Sequence, residues 1–247
     1  MLTVRLERLG LTPGQWVLDL GCGEGRHVHG VQMLGGVNVV GLDLDLPSLA
    51  KAREGVAMLA ADAPADHPAG VTEVLRGDAY RLPFADNAFD VVICSEVLEH
   101  LHEYERVLDE IGRVLKPGGL FCPTVPRAWP ERICWALAPG AGGYADQPGG
   151  HVRIFAESAL KSRISERGFT FLGKHHAHAL HSPYWWLKCA FWNRRDDHPL
   201  VKAYHRLLVW DLMQRPWLTR ALEAALQPVM GKSTAFYFRG EPAPGGA

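Results

Sequence analysis

The chain has 247 residues, 26 Lys plus Arg against 27 Asp plus Glu, and a formal net charge of −1. That length suits one large domain with a sizeable core, and the balance excludes a bulk polyanion binder. Five cysteines with no C-x-x-C pair argue against a zinc ribbon or a disulfide framework and fit a reducing, cytoplasmic setting, and no apolar run approaches the roughly 18 residues of a spanning helix.

Short apolar runs alternate with helical patterns through the first half. WVLDL (16–20), VNVVGLD (37–43), TEVLRGD (72–78), FDVVICS (89–95) and LFCPTV (120–125) predict strands, nearly continuous in apolar character as parallel strands are. Between the last two, Leu101, Tyr104, Leu108, Ile111 and Leu115 recur at helical spacing until KPGG stops the helix. This alternation predicts a Rossmann-like, doubly wound α/β fold with a mostly parallel sheet. Residues 126–150, rich in Pro, Gly and Trp, read as a long flexible loop. A helix over 155–168 and a strand over 169–178 follow. Residues 179–232 predict a helical, aromatic-rich insertion in which Pro183, Pro216 and Pro228 interrupt regular structure. STAFYFRG (233–240) is the seventh and last strand, and 241–247 read as a disordered tail. Residues 1–178 and 233–240 thus make the core and 179–232 the cap.

VLDLGCGEGRH (17–27) is the sharpest motif. A strand ends at Leu20, and Gly21, Gly23 and Gly25 let the backbone turn tightly and approach a ligand. A dinucleotide fingerprint needs a third glycine where Arg26 stands, which counts against a nicotinamide dehydrogenase. Asp43 ends the second strand about 20 residues on, placed to accept from ribose hydroxyls. Asp78, at the end of the third strand, can accept from an adenine amino group. Ser95, Glu96 and His100 follow the fourth.

With VLDLGCGEGRH, GLDLD, GDAYRLPFADNAFDVVICSEVLEH and RVLKPGG in this order and spacing, residues 14–125 resemble the class I S-adenosylmethionine-dependent methyltransferases, type-11 branch, which includes ubiquinone-biosynthesis enzymes. The resemblance implies S-adenosyl-L-methionine as cofactor, held by Asp19, Gly21, Cys22, Gly23 and Gly25 at its methionine part. It implies Asp43 with Leu44 at the ribose, Asp78 and Ala79 at the adenine, and Ser95 and Glu96 beside them. The expected reaction is methyl transfer to a hydroxyl oxygen of a small molecule, glycan or lipid-linked acceptor. A carbon methyltransferase on a quinone or isoprenoid and a non-catalytic cofactor binder are the alternatives. His100 and His151, the latter opening the helix after the fifth strand, are candidate bases for a hydroxyl acceptor.

No metal site is expected: His100 and His102 are two apart, not four as a zinc helix needs, and Glu96, Glu99 and His100 are a weak magnesium set. HHAHALHSPYWWLKCAFW (175–192) holds four histidines and five aromatic rings, and every tryptophan but Trp16 lies between 129 and 217. The stretch fits the core of a cap, an acceptor wall or, with Arg194, Arg195, Lys202 and Arg206 nearby, peripheral membrane contact; no nucleic-acid partner is expected. Few residues precede the first strand, so residues 179–192 with part of 200–227 are expected to fold over the carboxyl edge of the sheet as a lid.

Overall fold

The structure is a computed structural model, describing residues 2–147 and 149–241. Seven strands form one sheet: β1 (Trp16–Leu20), β2 (Asn38–Asp43), β3 (Thr72–Arg76), β4 (Phe89–Ser95), β5 (Leu115–Pro126), β6 (Phe169–Ala177) and β7 (Ser233–Gly240). Their order is β3-β2-β1-β4-β5-β7-β6, with β7 antiparallel to both neighbours and the other pairings parallel. Strand order reverses between β1 and β4, and there the carboxyl ends splay around a crevice that open α/β sheets use for ligands.

The apolar runs divide their alternate residues between two faces. Leu18, Leu20, Val92 and Cys94 pack with Val107, Leu108 and Ile111 of α3 (Tyr104–Val114) and with Leu160 and Ile164 of α5 (Glu157–Ser165). Val17, Val39, Val91 and Ile93 face Val28 and Val31 of α1 (Arg26–Gln32), Leu49 and Ala52 of α2 (Leu46–Asp62), and the amino-terminal Val4, Leu6 and Leu9. Both faces being covered explains why these strands lack a polar alternate. α2 starts where the sequence provides for it: the Asp45 carboxylate accepts from the Ser48 amide at 2.9 Å, and Pro47 sits in the first turn.

Residues 126–150 are not the long loop the Pro and Gly content suggests. They contain α4 (Ala128–Leu137), whose Pro130 falls in the first turn, where a missing N–H breaks no helical bond. The same reason corrects Pro183, which lies in the first turn of α6 (His181–Ala190) instead of interrupting it. α7 (Pro199–Gln214) and α8 (Trp217–Met230) complete the cap, and α8 continues through Pro228. α4 packs on α6: Cys134, Ala138 and Cys189 are buried together against Tyr144, Trp185, Trp186 and Trp192. The cap therefore recruits α4 from the segment before α5. Glu241 is held by its amide to the Gly168 carbonyl at 2.8 Å; the rest of the expected tail, 242–247, lies outside the described residues. Among the described residues, no helix is long and apolar enough to cross a membrane.

Candidate active site

The turn after β1 is built by backbone that L side chains rarely adopt. Gly21 has φ +72°, and a Cβ there would stand 2.2 Å from Val97 Cγ2. Gly23 has φ +52° and nothing within 4 Å of an added Cβ, so its place faces open space. Gly25, also left-handed, starts α1. Asp43 ties this loop to β2: its Oδ2 accepts from the Gly23 amide at 2.8 Å and its Oδ1 from the Asp45 amide at 2.9 Å.

A cavity of about 670 Å³ opens over the loop. Gly21, Cys22, Gly23, Asp43, Leu44, Ala79, Ser95, Glu96 and His100 line it, as the sequence leads one to expect. Arg26, His27, Gly77, Val97 and Leu101 line it too, and sequence reading passed over them. For Arg26 the signal was present, because it stands where a dinucleotide loop would carry glycine. Four expected site residues are not on the wall. Gly25 lies behind the turn. Asp78 accepts from the Tyr80 amide at 2.9 Å in its own turn, while its neighbours Gly77 and Ala79 face the cavity. Asp19 is buried beneath the loop, and His151 stands behind His100.

Burial dominates the electrostatics under the loop. Asp19 is 1% exposed and neither carboxylate oxygen has a hydrogen-bond partner. Loss of solvent raises its pKa to about 7; the nearby Val28 backbone, short of a formed hydrogen bond, offsets part of the rise and the Asp43 charge adds to it. His27 Nδ1 lies 3.8 Å away, yet burial and then Arg26 lower the imidazole to about 4. The two form no charged pair near neutrality, since desolvation pushes both toward the uncharged form. Burial likewise pushes the Cys22 thiol up, so it stays protonated.

Glu96 adopts φ +56°, a strained conformation for a side chain of its size. Its amide donates to the Thr124 carbonyl at 3.0 Å, and Thr124 Oγ1 donates to its Oε1 at 2.8 Å, so β5 holds the strain in place.

His100 Nδ1 is 3.2 Å from the Gly150 carbonyl, which only accepts, so Nδ1 carries the proton and Nε2 is the basic nitrogen. Burial and then the neighbouring His151 hold its pKa below the ordinary histidine value. The two rings meet edge-on with centroids 4.9 Å apart. His151 does not open a helix; it lies in the irregular segment before α5, with Nδ1 2.5 Å from Glu131 Oε1. Glu131, 3% exposed on α4, also accepts from Trp135 Nε1 at 3.1 Å. Burial alone would raise the Glu131 pKa, but the His151 contact outweighs it and the net shift is downward. The sequence does not reveal Glu131, because no motif surrounds it and the Pro- and Gly-rich composition of its segment predicts a loop. Glu99 is 1% exposed with both oxygens unpartnered, and burial followed by the Glu96 charge raises its pKa well above the carboxylate range. Glu99, His100 and His151 offer ligand atoms within 4.8 Å of one another, the one such group among the described residues. It replaces the Glu96, Glu99 and His100 set, and the histidines of 175–181 form no such group.

A second cavity, about 470 Å³, adjoins the first through Arg26 and Glu96. α6 and α7 supply His181, Tyr184, Trp185, His205, Leu208 and Leu212; His178 follows β6, and Thr3 and Lys232 complete the wall. The cap thus reaches the carboxyl edge beside the glycine loop. The aromatic stretch divides its work. Trp185 faces this cavity, whereas Trp186 donates from Nε1 to the Pro130 carbonyl at 3.0 Å and Trp192 to the Gly142 carbonyl at 2.7 Å. Phe191 stacks on His198 at 3.5 Å, and His175 and His176 bond to Thr3 and Thr234.

Residues 18–122 match the family model described as a methyltransferase domain. A sterol 24-C-methyltransferase of Gibberella zeae is 35% identical over 118 residues, which are 46% of this chain and 28% of that protein. A probable S-adenosylmethionine-dependent methyltransferase of Mycolicibacterium smegmatis is 34% identical over 115 residues, 46% of this chain and 38% of that one. The matches thus span well under half the length of these curated relatives. Among solved structures, the [4+2]-cyclase SpnF superposes with a TM-score of 0.60 at 22% identity, covering 95% of this chain and 78% of that one. Phosphoethanolamine N-methyltransferase 2 of Haemonchus contortus, in complex with S-adenosyl-L-methionine, gives 0.58 at 19%, covering 96% and 51%. At such identities the structures speak to the fold, which hosts more than one reaction. Motifs, sheet order and family match agree, and residues 18–122 are similar to the class I S-adenosylmethionine-dependent methyltransferases.

Proposed function

We propose that the protein methylates a hydroxyl oxygen of an amphiphilic, lipid-like acceptor, with His100 as general base. The observation that carries this reading is the pair of adjoining cavities, one over the glycine loop and one walled by the cap, with a neutral imidazole on the first.

The residues fit S-adenosylmethionine. Gly23 leaves open space where a side chain would stand, and the buried Asp19 carboxylate beneath the loop suits a cationic amino group. The Gly21–Gly25 loop with Asp19 would hold the methionine part, Asp43 and Leu44 the ribose, and Gly77 with Ala79 the adenine, with Ser95 and Glu96 on the opposite wall. When bound, the cofactor supplies a methyl already activated on sulfonium. The chain itself supplies alignment, for which proximity is worth on the order of 7 to 11 kcal/mol in favourable models. It also supplies a base: His100 Nε2 takes the hydroxyl proton, its Nδ1–H remaining on Gly150. Burial first, and then the neighbouring His151, hold the imidazole's pKa below the ordinary histidine value; such a base contributes typically about 10²- to 10⁴-fold. Tyr184, Trp185, Leu208 and Leu212 offer apolar surface to the acceptor, and His181 and His205 offer hydrogen bonds.

A second reading, transfer to carbon of an isoprenoid or quinone, is favoured by the likeness to sterol 24-C-methyltransferases. Incubation with a deuterated-methyl cofactor and a panel of hydroxylated amphiphiles and isoprenoid quinones separates the two. Label on an ether oxygen, lost in His100→Ala, is expected; label on carbon moves the assignment to the second reading. S-adenosylhomocysteine absent with every acceptor would make the protein a cofactor binder.

A further inference from the structure

α8 contributes no buried residue and α7 only Val201 and Leu208. Their outer surface is nevertheless strongly apolar: Met213 is 72% exposed and Trp217 78%, with Trp210 and Leu218 beside them. On α7, Lys202, Arg206, Trp210 and Met213 follow at intervals of four, four and three, so basic and apolar groups share one face. On α8, Leu218, Leu222, Ala225 and Val229 recur likewise, all exposed. Large apolar side chains left exposed on two successive helices mark a contact surface.

Charge identifies the occupant. The whole chain carries −1, but residues 199–230 hold Arg206, Arg215 and Arg220, and Lys202 paired with Asp197 at 3.0 Å, against Asp211 and Glu223. Both acids are committed locally. Asp211 accepts from Thr219 Oγ1, and Glu223 accepts from the Ala179 and Leu180 amides, each at 2.8 Å. Arg206, Arg215 and Arg220 are exposed and stand in no ion pair among the described residues. A two-fold contact with a second copy sets one patch against the same patch, and so arginine against arginine. An anionic bilayer supplies the opposite charge and takes up the indole and thioether side chains in its interfacial layer.

We propose that the α7–α8 hairpin docks on anionic lipid bilayers, Trp210, Met213, Trp217 and Leu218 entering the headgroup region. Membrane contact thereby belongs to this hairpin and not to the 185–192 aromatics, which are spent on α4 and the cap interior. The proposal deepens the lipid-acceptor reading, because Val209 and Leu212, 45% and 48% exposed, also line the cap cavity. An acceptor dissolved in the bilayer would thus meet exposed apolar residues that belong to the wall of that cavity.

The test is flotation of the full chain with phosphatidylcholine vesicles, with and without phosphatidylglycerol, following tryptophan emission. Binding to the phosphatidylglycerol vesicles, weakened by salt and accompanied by a blue shift, is expected. Arg206→Ala with Arg220→Ala should weaken it roughly thirtyfold, from about 1 kcal/mol per basic residue. Trp217→Glu with Leu218→Glu should abolish it. Both variants should keep wild-type affinity for S-adenosylhomocysteine, which reports folding. No vesicle binding, or binding unchanged in the variants, overturns the proposal, as does a wild-type dimer by light scattering that Trp217→Glu makes monomeric. Because flotation needs no turnover, a chain that binds vesicles but methylates only water-soluble acceptors sustains the docking surface and sinks the lipid-acceptor reading.

Discussion

Asp19→Asn should make the ligand-free protein more stable and a poorer cofactor binder. In the unfolded chain this carboxyl ionises near 3.8, while burial holds it near 7 in the fold. Between those values the folded state keeps a proton that the unfolded state has lost, so stability falls as pH rises across the window. The fall is complete above about pH 7 and, at about 1.4 kcal/mol per pH unit, amounts to about 4 kcal/mol. Asparagine keeps the shape and cannot ionise. Its advantage should be near zero at about pH 4, about 3 kcal/mol at pH 6 and about 4 kcal/mol at pH 8. At about 2–4 °C per kcal/mol for a chain of this size, the difference is readily seen by thermal denaturation across that range. A cationic amino group over the glycine loop would lose the counter-charge of the carboxylate beneath it, weakening S-adenosylmethionine by about 1.5–3 kcal/mol in calorimetry. An asparagine variant no more stable than wild type at pH 8, or one retaining the wild-type pH slope, refutes the desolvation argument. Unchanged cofactor affinity removes Asp19 from the site.

Asp43→Ala should weaken cofactor binding by about 1 to 3 kcal/mol, through the ribose contact and through release of the Gly23 amide it now holds; unchanged calorimetric affinity would exclude it. His100→Ala should lower kcat by about 10²-fold or more with cofactor affinity intact. In the wild type the acid limb of the rate profile should lie below 6.5, because the rate needs the neutral imidazole and burial lowers its pKa. Near-normal turnover in the alanine variant would leave alignment alone as the mechanism. Trp185→Ala should raise the acceptor KM without changing cofactor affinity. Trp186→Ala, which loses the Pro130 contact and packing on Trp129, should instead destabilise the fold by about 3 kcal/mol, read by denaturation. Equal effects on acceptor KM in the two variants would contradict the division of the aromatic stretch.

The strands and the glycine loop were legible because their physics is local: two-sided burial makes an apolar run, and a left-handed backbone demands glycine. α4 was not legible. AWPERICWAL has a proline in its first turn and Gly-rich neighbours, and it is helical chiefly because Cys134 and Ala138 bury themselves against Cys189 on α6, far along the chain. With α4 unread, Glu131 could not be found, although it fixes His151, which could. Asp19 and Asp78 show the converse limit. Their spacing was right, yet one is sealed beneath the loop and the other satisfies its own turn, so position in a motif does not say which way a carboxylate faces.

β6 ends and β7 begins as direct partners, Ala177 opposite Ser233. Everything between them, from His178 to Lys232, leaves and rejoins the sheet through one rung of an antiparallel ladder. An insert anchored in this way behaves as a cassette: its ends are already closed by the core, so replacing it costs the rest of the chain little loop-closure entropy. Homologous folds with the same ladder could exchange this segment and with it the cavity walled by the cap, while the glycine-loop half, built from the first four strands, stays untouched.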